Sequence, residues 1–195
     1  MAKYQINTLI TLLNRAGVLK QVKRTGWVLE GVKNAESVAD HTWRMSLLLT
    51  LLTPKSLNKE KLLEMNIIHD LGEIGVGDIK WESGKKVIGD QEAKRKDEME
   101  TMKIIFGNYT NGKKYINLLQ EFNEQKSEEA KFLKQIDKLE MALQALEYEQ
   151  QGHPAKRLNQ FWENAEKYLE GKSLEPIFRE LQRMRKGEKL IKLIK

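Results

Sequence analysis

The chain has 195 residues, a formal net charge of +6, three prolines and no cysteine. That length suits one domain, residues 1–195, with a sizeable core, and the lack of cysteine excludes disulfides and thiolate metal sites and suits a cytoplasmic setting. Abundant leucine, lysine and glutamate favour helices, and no segment resembles a membrane span or a signal peptide.

Apolar spacing predicts a first helix over 3–17, with Ile6, Leu9, Ile10, Leu13 and Ala16 inward and Gly17 as its stop. Residues 18–36 read as irregular and carry Lys23-Arg24-Thr25-Gly26-Trp27. Ser37-Val38-Ala39-Asp40 forms a capping box with Asp in place of Glu. The helix it opens carries Val38, His41, Met45, Leu48 and Leu52 on one face, so a histidine lies in an apolar stripe. The next helix starts near Asn58, bears His69 and Asp70, and stops at Gly75–Gly77. At about 100° per residue, Leu63, Ile67 and Ile74 share a stripe that includes Asp70, with His69 to one side and Glu73 between the two. An ionised carboxylate there is costly unless it is paired, hydrogen-bonded or bound to a metal.

Residues 80–89 read as a polar, exposed loop able to cover a site. A charged helix follows from Asp90 to Phe106, with Met99, Met102, Ile104 and Ile105 as its apolar members, and Tyr115, Ile116, Leu119 and Phe122 mark another. Ser127 caps the longest helix, which buries Phe132, Leu133, Ile136, Leu139, Leu143 and Leu146 and carries Asp137 at the border of that face. Helices through Leu158–Leu169 and from Pro176 complete the chain, and the basic tail, about 187–195, is expected to fray. The expectation is an all-α, single compact bundle of about eight helices without strands.

Of the three histidines, two fall on or beside inner helix faces, with Asp70 and Asp137. Singly, each has an ordinary explanation: a hydrogen-bonded core histidine, a buried pair with arginine, a carboxylate at a solvent edge. Together, two imidazoles and two carboxylates make a competent nitrogen and oxygen cage for a divalent metal. Spacing alone leaves both readings open.

Four blocks extend the pattern: Arg24-Thr25-Gly26-Trp27; Glu36 to His41; His69-Asp70 with Glu73, Gly77, Asp78 and Ile79; and Glu129-Ala130-Lys131-Phe132 with Lys134, Gln135 and Asp137. In this order they resemble the HD-domain metal-dependent phosphohydrolases, in particular the 5′-deoxynucleotidase branch that includes the HD-domain-containing protein 2 group. The resemblance covers roughly residues 5–170. It implies that His41, His69, Asp70 and Asp137 hold one divalent ion (Mn, Co, Mg or ferrous iron all suit such donors) and that Glu73 orients or deprotonates water. It further implies that Arg24 grips the 5′-phosphate, that Trp27 lies near phosphate and sugar, and that Asp78 lies near the sugar. In some members the positions of Glu73, Asp78 and the Ile79 carbonyl bind a second divalent ion instead. Here Thr25-Gly26 separates Arg24 from Trp27, whereas bacterial members place the two adjacently.

The implied reaction is hydrolysis of deoxyribonucleoside 5′-monophosphates to deoxynucleoside and phosphate, by a homodimer. Other HD phosphohydrolase substrates (ribonucleotides, triphosphates, cyclic nucleotides) are the nearest alternative. A non-catalytic, basic, helical nucleic-acid binder is motivated by charge alone. His153 lies outside every block and reads as a surface residue.

Overall fold

Side-chain caps set four of the helix starts where the sequence places them. The computed structural model describes residues 3–79 and 82–187. Along them run α1 (Lys3–Ala16), a 3-10 turn (Gly17–Lys20), α2 (Thr25–Leu29), α3 (Val38–Leu52), α4 (Lys59–His69) and α5 (Glu73–Val76). A hairpin β1 (Glu82–Ser83) and β2 (Lys86–Val87) precedes α6 (Gln91–Phe106), α7 (Gly112–Glu124), α8 (Glu128–Gln150), α9 (Ala155–Leu169) and α10 (Glu175–Arg185). The Ser37 hydroxyl accepts from the Asp40 N–H while the Asp40 carboxylate accepts from the Ser37 N–H at 2.8 Å, closing the capping box of α3. Asn58, Asp90 and Ser127 cap α4, α6 and α8 through their side-chain oxygens. The fold is all-α apart from the hairpin, and α2 and α5 are the short additions to the expected helices.

The chain divides into two compact units: residues 3–79 with 88–133, and residues 82–87 with 134–187. In the first, Leu19, Val38, Ile68, Leu71, Met102, Ile105, Phe106 and Leu119 form one apolar cluster, with Leu12 and Ala16 of α1 packed against it. In the second, Trp162 of α9 lies 6.0 Å from the Phe178 ring of α10 and donates its indole N–H to Glu149. The Arg185 guanidinium lies 4.8 Å from the Trp162 ring and donates to the same Glu149 carboxylate at 2.9 Å.

Several faces differ from expectation. On α1, Ile6, Ile10 and Leu13 are exposed, and Leu12 and Ala16 are the inward residues. On α4, Ile67 is exposed, and Leu62, Met65, Asn66, Ile68 and His69 form the buried face. On α6, Ile104 is exposed while Glu98 is buried beside Met102 and Ile105. Each of these helices has apolar residues on more than one side, so periodicity alone cannot select the face that meets a partner. On α8, residues 136–142 are all buried rather than one stripe. His153 is half-buried rather than a surface residue, and the expected tail lies outside the described residues from 188 onward.

The expected loop is a short antiparallel hairpin, with Glu82 opposite Val87; Lys80 and Trp81 lie outside the described residues. Its strands are two residues long and draw their support from α9: the Glu82 carboxylate accepts from Asn164, Lys167 and Tyr168. Those partners are some eighty positions away, beyond any local pattern.

Candidate active site

Helix α4 stops at His69, earlier than the sequence reading has it. Asp70 is its C-terminal cap (φ −110°, ψ 7°), and the bonds Leu71 N–H to Ile68 O and Glu73 N–H to Asp70 O tighten the chain into α5. A straight projection of His69, Asp70 and Glu73 therefore fails after His69. Gly77, at φ 76°, ends α5 in a conformation that side chains rarely adopt.

At this break the ligand atoms of His41, His69 and Asp70 lie within 4.8 Å of one another. Asp70 Oδ2 is 3.2 Å from His69 Nε2 and 4.0 Å from His41 Nε2. His69 Nδ1 lies 2.6 Å from the Asn66 carbonyl oxygen, so Nδ1–H donates there and the lone pair is left on Nε2. That buried Nε2 makes no hydrogen bond, yet it faces a carboxylate oxygen. Two lone-pair atoms so placed call for positive charge, and a nitrogen and oxygen donor set of this kind fits a divalent ion. Asn66 holds the two helices in register, its Nδ2 donating to the Thr42 carbonyl (3.0 Å) and Ser46 hydroxyl (2.9 Å) of α3. Burial opposes the charge on Asp70, but His69 and His41, when their imidazoles carry a proton in place of an ion, and the Arg24 guanidinium outweigh it and hold the carboxyl well below the usual range.

Arg24 reaches the site because its strand-like segment pairs with the start of α3. Lys23 bridges Ser37, Arg24 N–H donates to Glu36 O, and Val38 N–H donates to Val22 O. Arg24 Nη1 then sits 3.2 Å from Asp70 Oδ2. Trp27 is 1% exposed and donates its indole N–H to Glu36 at 2.9 Å, so it stands in the core beneath this turn. Thr25 binds Asp78 twice: its N–H donates to Oδ2 at 2.6 Å and its hydroxyl donates to the Asp78 carbonyl.

Glu73 is 1% exposed. Burial, then the charges of Asp70 and Asp78, push its carboxyl well above the ordinary range, against the pull of Lys94 and Arg24. Lys94 of α6 bonds Glu73 Oε1 at 3.0 Å, and Glu98 lies 3.3 Å from the same ammonium. Burial opposes the charge on Lys94, but Glu73, Glu98 and Asp78 together raise its pKa above the ordinary lysine value. Gly72 and Gly75 admit α6 to this distance; a Cβ on Gly72 would lie 2.8 Å from Glu98 Cβ.

The first unit thus brings together Arg24, His41, His69, Asp70, Glu73 and Asp78, while Ile79 is exposed beside them. Asp137 belongs to the second unit, on α8, buried, with Lys134 and Lys138 Nζ at 3.0 and 3.4 Å from its Oδ2. Sequence reasoning missed Lys94, Glu98 and Asn66. A signal existed for two of them: Lys94, Glu98, Met102 and Ile105 share one helical face, so Glu98 is a carboxylate in an apolar stripe, as Asp70 is on a straight helical projection.

A helical fold that carries a histidine on one helix and a His-Asp pair at the end of the next is that of the HD domain. The HD domain family matches residues 16–176, and the chain belongs to it. Among characterised relatives it is 38% identical to human 5′-deoxynucleotidase HDDC2 over 159 residues, 80% of this chain and 76% of that protein. It is 37% identical to the Danio rerio protein of the same name over 164 residues, 83% of this chain and 80% of that one. A solved structure, a conserved hypothetical protein from Pyrococcus furiosus, superposes with a TM-score of 0.71 at 34% identity, covering 89% of this chain and 99% of that one.

Proposed function

We propose that this chain is a divalent-metal-dependent phosphomonoesterase that hydrolyses deoxyribonucleoside 5′-monophosphates to deoxynucleoside and phosphate. The carrying observation is the His41, His69 and Asp70 cluster with the Arg24 guanidinium 3.2 Å from Asp70. Relatives named 5′-deoxynucleotidase support the substrate class.

In this reading His41, His69 and Asp70 would hold one divalent ion, of the Mn, Co, Mg or ferrous class, and Asp137 is the fourth ligand that the sequence order of the family blocks supplies. Such an ion, when bound, supplies Lewis-acid charge that acidifies water and polarises a phosphoryl oxygen. Arg24 turns its planar fork from Asp70 to two oxygens of the 5′-phosphate, fixing the ester. Glu73 accepts a proton from the attacking water, a task its raised pKa suits. The water oxygen bonds to phosphorus, the bond from phosphorus to the 5′-oxygen breaks, and the leaving oxygen takes a proton. Asp78, held by Thr25, meets the sugar; its alternative role, with Glu73 and the Ile79 carbonyl, is to bind a second ion. Trp27 serves phosphate and sugar by supporting the Arg24–Thr25 turn from the core.

The finer reading includes a cytoplasmic homodimer, supported by a cysteine-free sequence and by Trp43, Leu47 and Leu51, which form an exposed i, i+4, i+8 row on α3. No helix among the described residues is long and apolar enough to cross a membrane. The test is phosphate release from a panel of deoxy- and ribonucleotides with Mn, Co and Mg. Efficient release from the deoxynucleoside monophosphates is expected. No release from any of them overturns the proposal, and preference for ribonucleotides, triphosphates or cyclic nucleotides reassigns the substrate.

A further inference from the structure

Beyond Asp70, three carboxylates surround one ammonium. Lys94 Nζ is 3.0 Å from Glu73 Oε1, 3.3 Å from Glu98 Oε1 and 3.9 Å from Asp78 Oδ1. None of these groups is a surface charge: their side chains are 13% exposed for Lys94 and 1%, 7% and 12% for Glu73, Glu98 and Asp78. Oxygens gathered from three elements around one cation make a coordination shell rather than a rim ion pair. Without that cation the shell would draw protons or a hard, oxygen-seeking metal. Glu73 Oε2 is buried and makes no hydrogen bond, so acceptor capacity remains in the pocket after the ammonium is bound. The backbone builds the arrangement, since Gly75, like Gly72, leaves no room for a Cβ against α6, where Thr101 Oγ1 would be met.

We propose that the Lys94 ammonium is the second cation of this active site, seated in the Glu73, Asp78 and Glu98 pocket in place of a second divalent ion, so that the chain binds one ion only. The inference rests on the reading of His41, His69 and Asp70 as the cage for that ion. A tethered ammonium offsets one of the pocket's three carboxylate charges without exchanging with solvent. It also pins Glu73 by Oε1 and leaves Oε2 as the oxygen presented to water.

Ions per chain, counted by elemental analysis after equilibrium dialysis of the full chain against Mn²⁺, test this. Wild type is expected to hold one ion, Lys94→Arg one, Lys94→Met two and Asp70→Ala none. Two ions on wild type, or only one on Lys94→Met, overturn the assignment of Lys94. If Lys94→Met does not fold, Lys94→Met with Glu98→Gln removes the ammonium together with one carboxylate and carries the same expectation, and one ion there is equally fatal. An ion retained by Asp70→Ala overturns the cage instead, and the gain or constancy at Lys94→Met still reads separately.

Discussion

Asp70 concentrates the chemistry of the first unit: one carboxylate oxygen meets two imidazoles and a guanidinium within 4.0 Å. Removing it leaves Arg24 and the lone pair of His69 without their common partner, so Asp70→Ala is expected to lose the ion and the phosphatase activity together, read by elemental analysis and phosphate release. Glu73→Gln is expected to retain the ion while kcat falls by about 10²–10⁴. The sign of the pH effect follows from the base role. Glu73 must be ionised to accept a proton, and burial with Asp70 and Asp78 raises its pKa. Activity therefore rises with pH through a limb above the ordinary glutamate range, and a kcat/KM profile of Glu73→Gln should lack that limb. His41, His69, Asp70, Glu73 and Arg24 were all legible as a set of residue types in a recognisable order. Lys94 and Glu98 were not, because their role depends on which helix approaches α5.

Elements meet where small side chains allow it. The Gly72 Cβ position lies 2.8 Å from Glu98 Cβ and 3.0 Å from its Cα, so Gly72→Ala must move α6 or α5. A loss of about 1–3 kcal/mol in denaturant unfolding is expected, as for other overpacked sites. Between α3 and α4, Asn66→Ala leaves its Ser46 hydroxyl partner short of a donor and should cost about 1 kcal/mol, with ion affinity reduced about 10-fold as His69 loosens. The hairpin offers a pH test. Burial raises Glu82, but Lys167, Asn164, Lys138 and Tyr168 outweigh it and lower its carboxyl below the ordinary 4.5. The folded state then binds fewer protons than the unfolded one, so this stabilisation is present above the unfolded value and lost as pH falls through the folded one. The gap in Tm between wild type and Glu82→Gln should accordingly shrink on going from about pH 6 to about pH 3. Capped starts such as Ser37 and Ser127 are legible from sequence because a cap reaches only three residues. The end of α4 was not: residues 70–72 lack a breaker strong enough to announce the i to i+3 tightening seen there.

For the whole molecule, an ion that binds only the folded chain stabilises it by mass action. At a free concentration about 100 times Kd, this amounts to about 2.7 kcal/mol. Chelation should thus lower the Tm of wild type and leave that of Asp70→Ala unchanged, as scanning calorimetry would show. The exposed row on α3 should be covered in solution by a second copy. Light scattering is expected to give a dimer, and Trp43→Glu, which places a charge in the row at a residue 68% exposed, to give a monomer of unchanged helicity.

What the sequence determines by itself is whatever is local or carried by identity. Helix starts come from caps three residues long, most helices from their apolar period, and the HD family from ordered blocks around His41, His69-Asp70 and Asp137. Tertiary structure decides which apolar side of α1, α4 and α6 faces inward, that Asp70 caps a helix rather than lying within one, and that residues 82–87 pair as strands against α9. It also decides the neighbours of Glu73. The ammonium that holds this carboxylate arrives from α6, twenty-one positions on, through an approach that Gly72 and Gly75 permit. A period of 3.6 residues reports faces within one helix and is silent about distances between two, which is why the site's second cation was hidden until the helices were packed.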